Sequence, residues 1–335
     1  MKSIGKRARR AIVGMCMGLA VGLLASCGGG TEQVTPFAPV RMFAFGDEMS
    51  VLTKELPQGR KYTVNAVQSD GVTIDCAVST AWLWTQSLAA LYQFAFEECN
   101  PLNQKVNAFS YAAPGAKAAD FLVQIEAARA ARGPFTSTDL MTVLIGANDV
   151  IDLFENVYLK DPTSATATTL TNELSTRGAQ LGVAITALTA NNGPRVILST
   201  IPMLNLTPYA LKQAAARPGA NVQNVLQAFS NAFNTAMRAG YNDIPAIPND
   251  GRRWGLVELD AMTQAGVDSP GSYGLTNTTQ AACAVALPDC YNVSADLVSG
   301  ANASSWLWAS DLWIGWRAHN YLGNYARGRV QGNPF

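Results

Sequence analysis

Histidine is almost missing from this sequence: His319 is the only one in 335 residues. That scarcity argues against a metal site built on imidazoles. The six cysteines do not make up for it, because their spacings follow no usual zinc pattern. Charge is sparse too, at 14% of residues, with 24 basic side chains against 24 acidic. A nucleic-acid partner calls for a basic patch, and this balance supplies none. Neither a phosphate-cradling loop nor a dinucleotide fingerprint occurs, so no cofactor is expected. What the chain does have is apolar bulk, 48% of its residues, enough for a large buried core.

The first segment reads as an address rather than as fold. Lys2, Lys6, Arg7, Arg9 and Arg10 precede an apolar run from Ala11 to Ala25. That run is shorter than the ~20 residues a membrane-spanning helix requires. It ends in Leu24-Ala25-Ser26-Cys27, which resembles the lipobox of bacterial lipoproteins. The resemblance implies a signal peptide over residues 1–26, acylation of Cys27, and a lipidated cysteine with a flexible glycine tether over residues 27–37. Several acyl chains on one residue anchor a protein stably, whereas a single chain does not. The membrane is thus an expected partner. Gly28 is compatible with sorting to the outer membrane, so the expected location is the bacterial cell envelope, on its periplasmic or its surface face. The alternative is an ordinary secretory signal cut at a small residue. Without residues 1–26 the balance becomes 19 basic against 24 acidic side chains.

Export agrees with the remaining cysteines. Cys76, Cys99, Cys283 and Cys290 are an even set in an oxidising compartment, which predicts two disulfides with three possible connectivities. Proximity in sequence favours Cys76–Cys99 and Cys283–Cys290.

Along the chain, short apolar runs alternate with helical patterns. Residues 41–45, 106–110, 140–146, 195–201 and 255–259 read as buried strands. Stretches near 78–97, 117–131, 166–190 and 219–239 carry Ala and Leu at helical spacing. This alternation predicts a parallel sheet covered on both faces, a three-layer αβα sandwich. No repeat or internal linker interrupts residues 38–331, which are expected to form one domain. Residues 261–302, rich in Gly, Ser, Thr and Asn, read as a long surface excursion stapled by the second disulfide. In such open sheets ligands sit beyond the carboxyl ends of the strands.

At three such ends the sequence reads FGDEMS, AAPGAKAADF and IGANDV. Together with RVILSTIPMLNLTP (195–208) and the tail WLWASDLWIGWRAHNYLGNYA (306–326), these blocks resemble, in order, the GDSL or SGNH hydrolases of the lipase and esterase branch. The resemblance implies their flavodoxin-like fold with a five-stranded parallel sheet. In that family a serine after Gly-Asp attacks an ester carbonyl, an Asp-x-x-His pair supplies the base, and a glycine N–H with an asparagine side chain stabilises the oxyanion. Matched position by position, Gly115 and Asn148 stand at the oxyanion residues. The nucleophile position holds Glu48, the aspartate position Ser310 and the histidine position Trp313. An alcohol needs a base at neutral pH, and indole offers no basic nitrogen. All three triad positions have departed from the pattern.

The expected function is therefore a lipid-anchored envelope pseudoenzyme that binds a small molecule, a glycan or a protein. One alternative is an active ester hydrolase using Glu48 as a non-standard catalytic group. Another is a carbohydrate-binding surface lipoprotein using Trp306, Trp308, Trp313 and Trp316, though tryptophans at that density more often fill a core. Ser50 is expected to cap a helix rather than to replace the nucleophile. His319 lies too far from Asp311 for the family's pair and is expected to be structural. Without a catalytic part, Glu48 would be a polar residue of a turn, capping the helix that follows.

Overall fold

Arg41–Gly46 (β1) is buried at every residue after the first. Both of its faces are covered, as in a strand inside a parallel sheet. The computed structural model describes residues 36–240 and 253–332; Cys27 and the expected signal segment lie outside the described residues. Around β1 the chain builds β2 (Ala95–Phe96), β3 (Val106–Ser110), β4 (Asp139–Leu144), β5 (Arg195–Ser199) and β6 (Trp254–Val257). All pair in parallel, in the order β2-β3-β1-β4-β5-β6.

The sheet thus has six strands, not the five expected from the sequence. The additional one is β2, a two-residue edge strand whose pairing with β3 is irregular. Two residues display no periodicity, and the helical pattern read over 78–97 runs through them. The helix itself, α1, covers only Trp84–Leu91.

The other helices of the described residues are α2 (Asp120–Arg132), α3 (Ala147–Asn156), α4 (Ser164–Thr189), α5 (Pro208–Ala216), α6 (Val222–Gly240), α7 (Leu259–Asp268) and α8 (Trp316–Gln331). α4 packs on α6, and α1 packs on α8. Phe43 and Phe45 of β1 meet Phe109, Phe121 and Phe135 around one aromatic centre. Residues 261–302 are more structured than a surface excursion. They contain most of α7 and a strand, β7 (Asn277–Ala281), which pairs in parallel with β8 (Trp306–Trp308). Both disulfides form in the expected pairing, Cys76–Cys99 and Cys283–Cys290.

This strand order positions the site. From β1 the chain adds β2 and β3 on one side and then β4, β5 and β6 on the other. The carboxyl end of β1, flanked by those of β3 and β4, is the switch point at which such sheets open a crevice.

Candidate functional site

The turn after β1 is fixed before any functional side chain is considered. Gly46 has a φ of +137°, and a Cβ there would stand 2.0 Å from the Leu144 carbonyl oxygen. Only glycine fits so close to the neighbouring strand. Its N–H donates to Gln124 Oε1 at 2.8 Å, and Gln124 Nε2 donates back to its carbonyl at 2.9 Å. A buried glutamine of α2 therefore clamps the last peptide of β1. Asp47 follows; its N–H donates to the Leu144 carbonyl, and its Oδ1 accepts from Met49 N at 3.1 Å, capping a short 3-10 turn over Glu48–Ser50.

Glu48 opens that turn and sends its carboxylate across the crevice. Oε1 accepts from the Gly115 N–H at 2.8 Å, and Oε2 accepts from Asn148 Nδ2 at 2.9 Å. These are the two donors matched to the oxyanion positions, one from the loop after β3 and one from the first turn of α3 after β4. Gly115 has a φ of +75°, which turns its N–H toward the crevice in a conformation that favours glycine. Asn148 Nδ2 also donates to the Ala116 carbonyl at 3.1 Å, so the two donor loops are tied to each other. Asp149 adds a second tie, accepting from Ala118 N at 2.7 Å and pairing with Arg177 of α4.

The carboxyl groups around this point are crowded. Asp47 is fully buried, and its Oδ2 has no partner among the described residues. Burial first and the neighbouring charge of Glu48 second hold its carboxyl well above the usual range, against the opposing Met49 N–H. Burial likewise raises Asp149, opposed by the Ala118 N–H and Arg177.

The other two triad-equivalent residues sit in the tail loop between β8 and α8. Ser310 Oγ accepts from the N–H groups of Leu312 and Trp313, at 3.3 and 3.1 Å, and so serves its own turn. Trp313 is 8% exposed and belongs to the main core. Both line a cavity of about 850 Å³ with Tyr62, Lys212 and Leu287. Glu48 is not among its lining residues. Tyr62 is the link: burial first and the charge on Glu48 second raise its phenol, so it lies within electrostatic reach of that carboxylate.

A glycine N–H and an asparagine amide converge at a switch point, after β3 and β4, on the residue that follows Gly-Asp. The sequence matches the model of the GDSL-like lipase/acylhydrolase family over residues 43–297. The chain belongs to this family. Among curated proteins, none matches it. Of the solved structures, a GDSL-family lipolytic protein from Veillonella parvula shares 12% identity, with 87% of this chain and 97% of that one covered and a TM-score of 0.38. An acetylxylan esterase from Geobacillus stearothermophilus shares 11%, over 89% and 98%, with a TM-score of 0.44. A lipase/acylhydrolase from Enterococcus faecalis shares 13%, over 88% and 98%, with a TM-score of 0.37.

Within this GDSL-type framework two expected roles change. Glu48 caps nothing; Asp47 is the cap. Ser50 is not a cap either. It is fully buried at the end of the 3-10 turn, and its Oγ accepts from the Trp84 indole N–H at 3.2 Å. The tryptophan cluster is core rather than platform, since Trp306, Trp308, Trp313 and Trp316 are all buried. The indoles of Trp308 and Trp316 donate to the Thr278 and Val64 carbonyls. His319 is fully buried on α8, with neither ring nitrogen hydrogen-bonded among the described residues. Burial, and secondarily the nearby Lys61, lower its pKa to about 3.

Two residues that matter escape sequence reasoning. Gln124 looks like any polar residue on a helix, and no local pattern marks its clamp on Gly46. Lys61 is completely buried, its Nζ donating to the Ala81 and Cys76 carbonyls at 2.6 and 3.1 Å. Burial lowers that amine to about 7, against the attraction of Asp75. A lysine is read from sequence as exposed.

Proposed function

We propose that this protein is a GDSL-fold pseudoenzyme, anchored in the bacterial envelope through Cys27 and used for binding or assembly rather than for ester hydrolysis. One observation carries the reading: the Glu48 carboxylate already fills the place an oxyanion would take. Oxyanion-hole donors act at 2.7–3.1 Å from the developing charge, and both Glu48 oxygens lie in that range, at 2.8 and 2.9 Å. A substrate carbonyl would have to displace the very side chain standing at the nucleophile position. Trp313 offers no lone pair with which to take a proton, and His319 is shut inside the packing of α8. The reading with Glu48 as catalytic group is weaker, because both of its oxygens are held by donors and no base accompanies it.

The test is hydrolysis of p-nitrophenyl acetate by the purified protein. Turnover should not exceed that of a boiled sample, and Glu48→Gln should change nothing. Glu48→Ser alone should stay inactive for want of a base. Glu48→Ser combined with Ser310→Asp and Trp313→His should gain turnover, since donors of this kind contribute on the order of 10²-fold or more each. Clear wild-type turnover that vanishes in Glu48→Gln would make Glu48 the catalytic group and end the pseudoenzyme reading.

A further inference from the structure

Away from the crevice, a second cavity of about 590 Å³ opens beside the sheet edge at β2. It shares no lining residue with the cavity at Trp313. Its volume lies within the roughly 300–1,000 Å³ range of small-ligand sites. Its wall is stiff. The Cys76–Cys99 disulfide joins the segment before α1 to the chain leaving β2, and Cys99 itself lines the cavity.

The lining combines two kinds of group. Trp82 and Phe94 are half-buried aromatics. The Trp82 indole N–H donates to the Ala77 carbonyl at 3.0 Å, which fixes the ring, and Phe94 rests against Tyr92 with centroids 5.9 Å apart. Between them come amides. Asn100 is used up in closing its own loop, with both amide atoms bonded to the Gln104 backbone. The side chains of Gln93 and Gln104 are exposed and make no hydrogen bond among the described residues. Among the described residues no carboxylate lines the cavity, and Lys105 is the only charged residue that does.

We propose that this cavity is a binding site for a short neutral saccharide. A pyranose presents an apolar C–H face and a rim of hydroxyls. Aromatic rings bury the first, and free amides, donors and acceptors at once, match the second. A cationic ligand would find no carboxylate among the described lining residues to pair with, and it would face the charge of Lys105. An anionic one would require more than a single lysine on a flexible stem.

Binding is tested on the full-length protein by ligand-observed NMR and tryptophan fluorescence, with cellotetraose, xylotetraose, mannotetraose and chitotetraose as probes and tetragalacturonate as the charged comparison. At least one neutral tetrasaccharide should bind saturably. Trp82→Ala should weaken it about tenfold or more, the equivalent of ~1.4 kcal/mol. Because Trp82 borders packed structure, Gln93→Ala with Gln104→Ala provides a second variant at exposed positions, and it should weaken binding comparably. The proposal is overturned if none of the neutral probes saturates, if the double glutamine variant binds as wild type, or if tetragalacturonate binds more tightly than every neutral probe.

Discussion

Removing the Glu48 carboxylate should convert a closed pair of donors into an open one, and the change can be measured without any catalytic assay. In Glu48→Ala the Gly115 N–H and Asn148 Nδ2 lose acceptors now at 2.8 and 2.9 Å. Hydrogen bonds to charged groups are worth about 1.5–3 kcal/mol each. Water can enter from the exposed Gly115 side, and relief of the like charge beside Asp47 offsets part of the loss. A net destabilisation of about 2 kcal/mol follows, or roughly 3 °C in Tm for a domain of this size. The vacated space has the shape of a small carboxylate. Acetate should therefore restabilise the variant, by ~1.4 kcal/mol when its concentration is about ten times its Kd. Chloride at matched ionic strength should not, and wild type should ignore both. The assay is a thermal melt in 100 mM-range sodium acetate against sodium chloride, both at pH 7. Glu48→Gln should fall between, because a carboxamide presents an N–H to one of the two donors. If Glu48→Ala melts with wild type and acetate is no better than chloride, the carboxylate is not held in the hole as described.

Two further outcomes can be checked independently. His319 is neutral in the fold, with a pKa lowered to about 3 from 6.5, so the unfolded chain binds the extra proton between those values and stability is lost as pH falls through that window. At ~1.4 kcal/mol per pH unit, urea titrations of His319→Phe should show an acid loss smaller by about 3 kcal/mol between pH 6.5 and 4. Asp47, shifted upward, opposes part of that loss in both proteins, and an unchanged slope in the variant would remove His319 as the cause. For the anchor, a clickable fatty acid should label wild type and not Cys27→Ser; label that persists in the variant would refute acylation at Cys27.

The sequence exposes the crevice more readily than its supports. FGDE, APGA and GAND each follow an apolar run, and those runs form β1, β3 and β4, so the strand ends legible in the sequence mark Glu48, Gly115 and Asn148. Short or polar elements stayed hidden. Ala95–Phe96 is too brief for a period, and Asn277–Ala281, which pairs with Trp306–Trp308, is a strand without one buried residue. The inside-out side chains were hidden as well. Lys61, Gln124 and Ser50 are polar residues in the interior, and their partners lie 15 to 78 positions away. Only the fold reveals such pairs, because no local composition encodes a contact across that separation.

The bond from Asn148 to the Ala116 carbonyl bears on how the crevice keeps its shape. It joins the two donor loops through the same Nδ2 that donates to Glu48, and the Gln124 clamp steadies the turn between them. The donor pair is thus held by bonds that also keep its loops folded. Side chains at the rim of such a frame can be exchanged while the hollow keeps its outline. An intact pair of donors at the ends of two strands then identifies the scaffold, and turnover has to be read from the side chains placed around it.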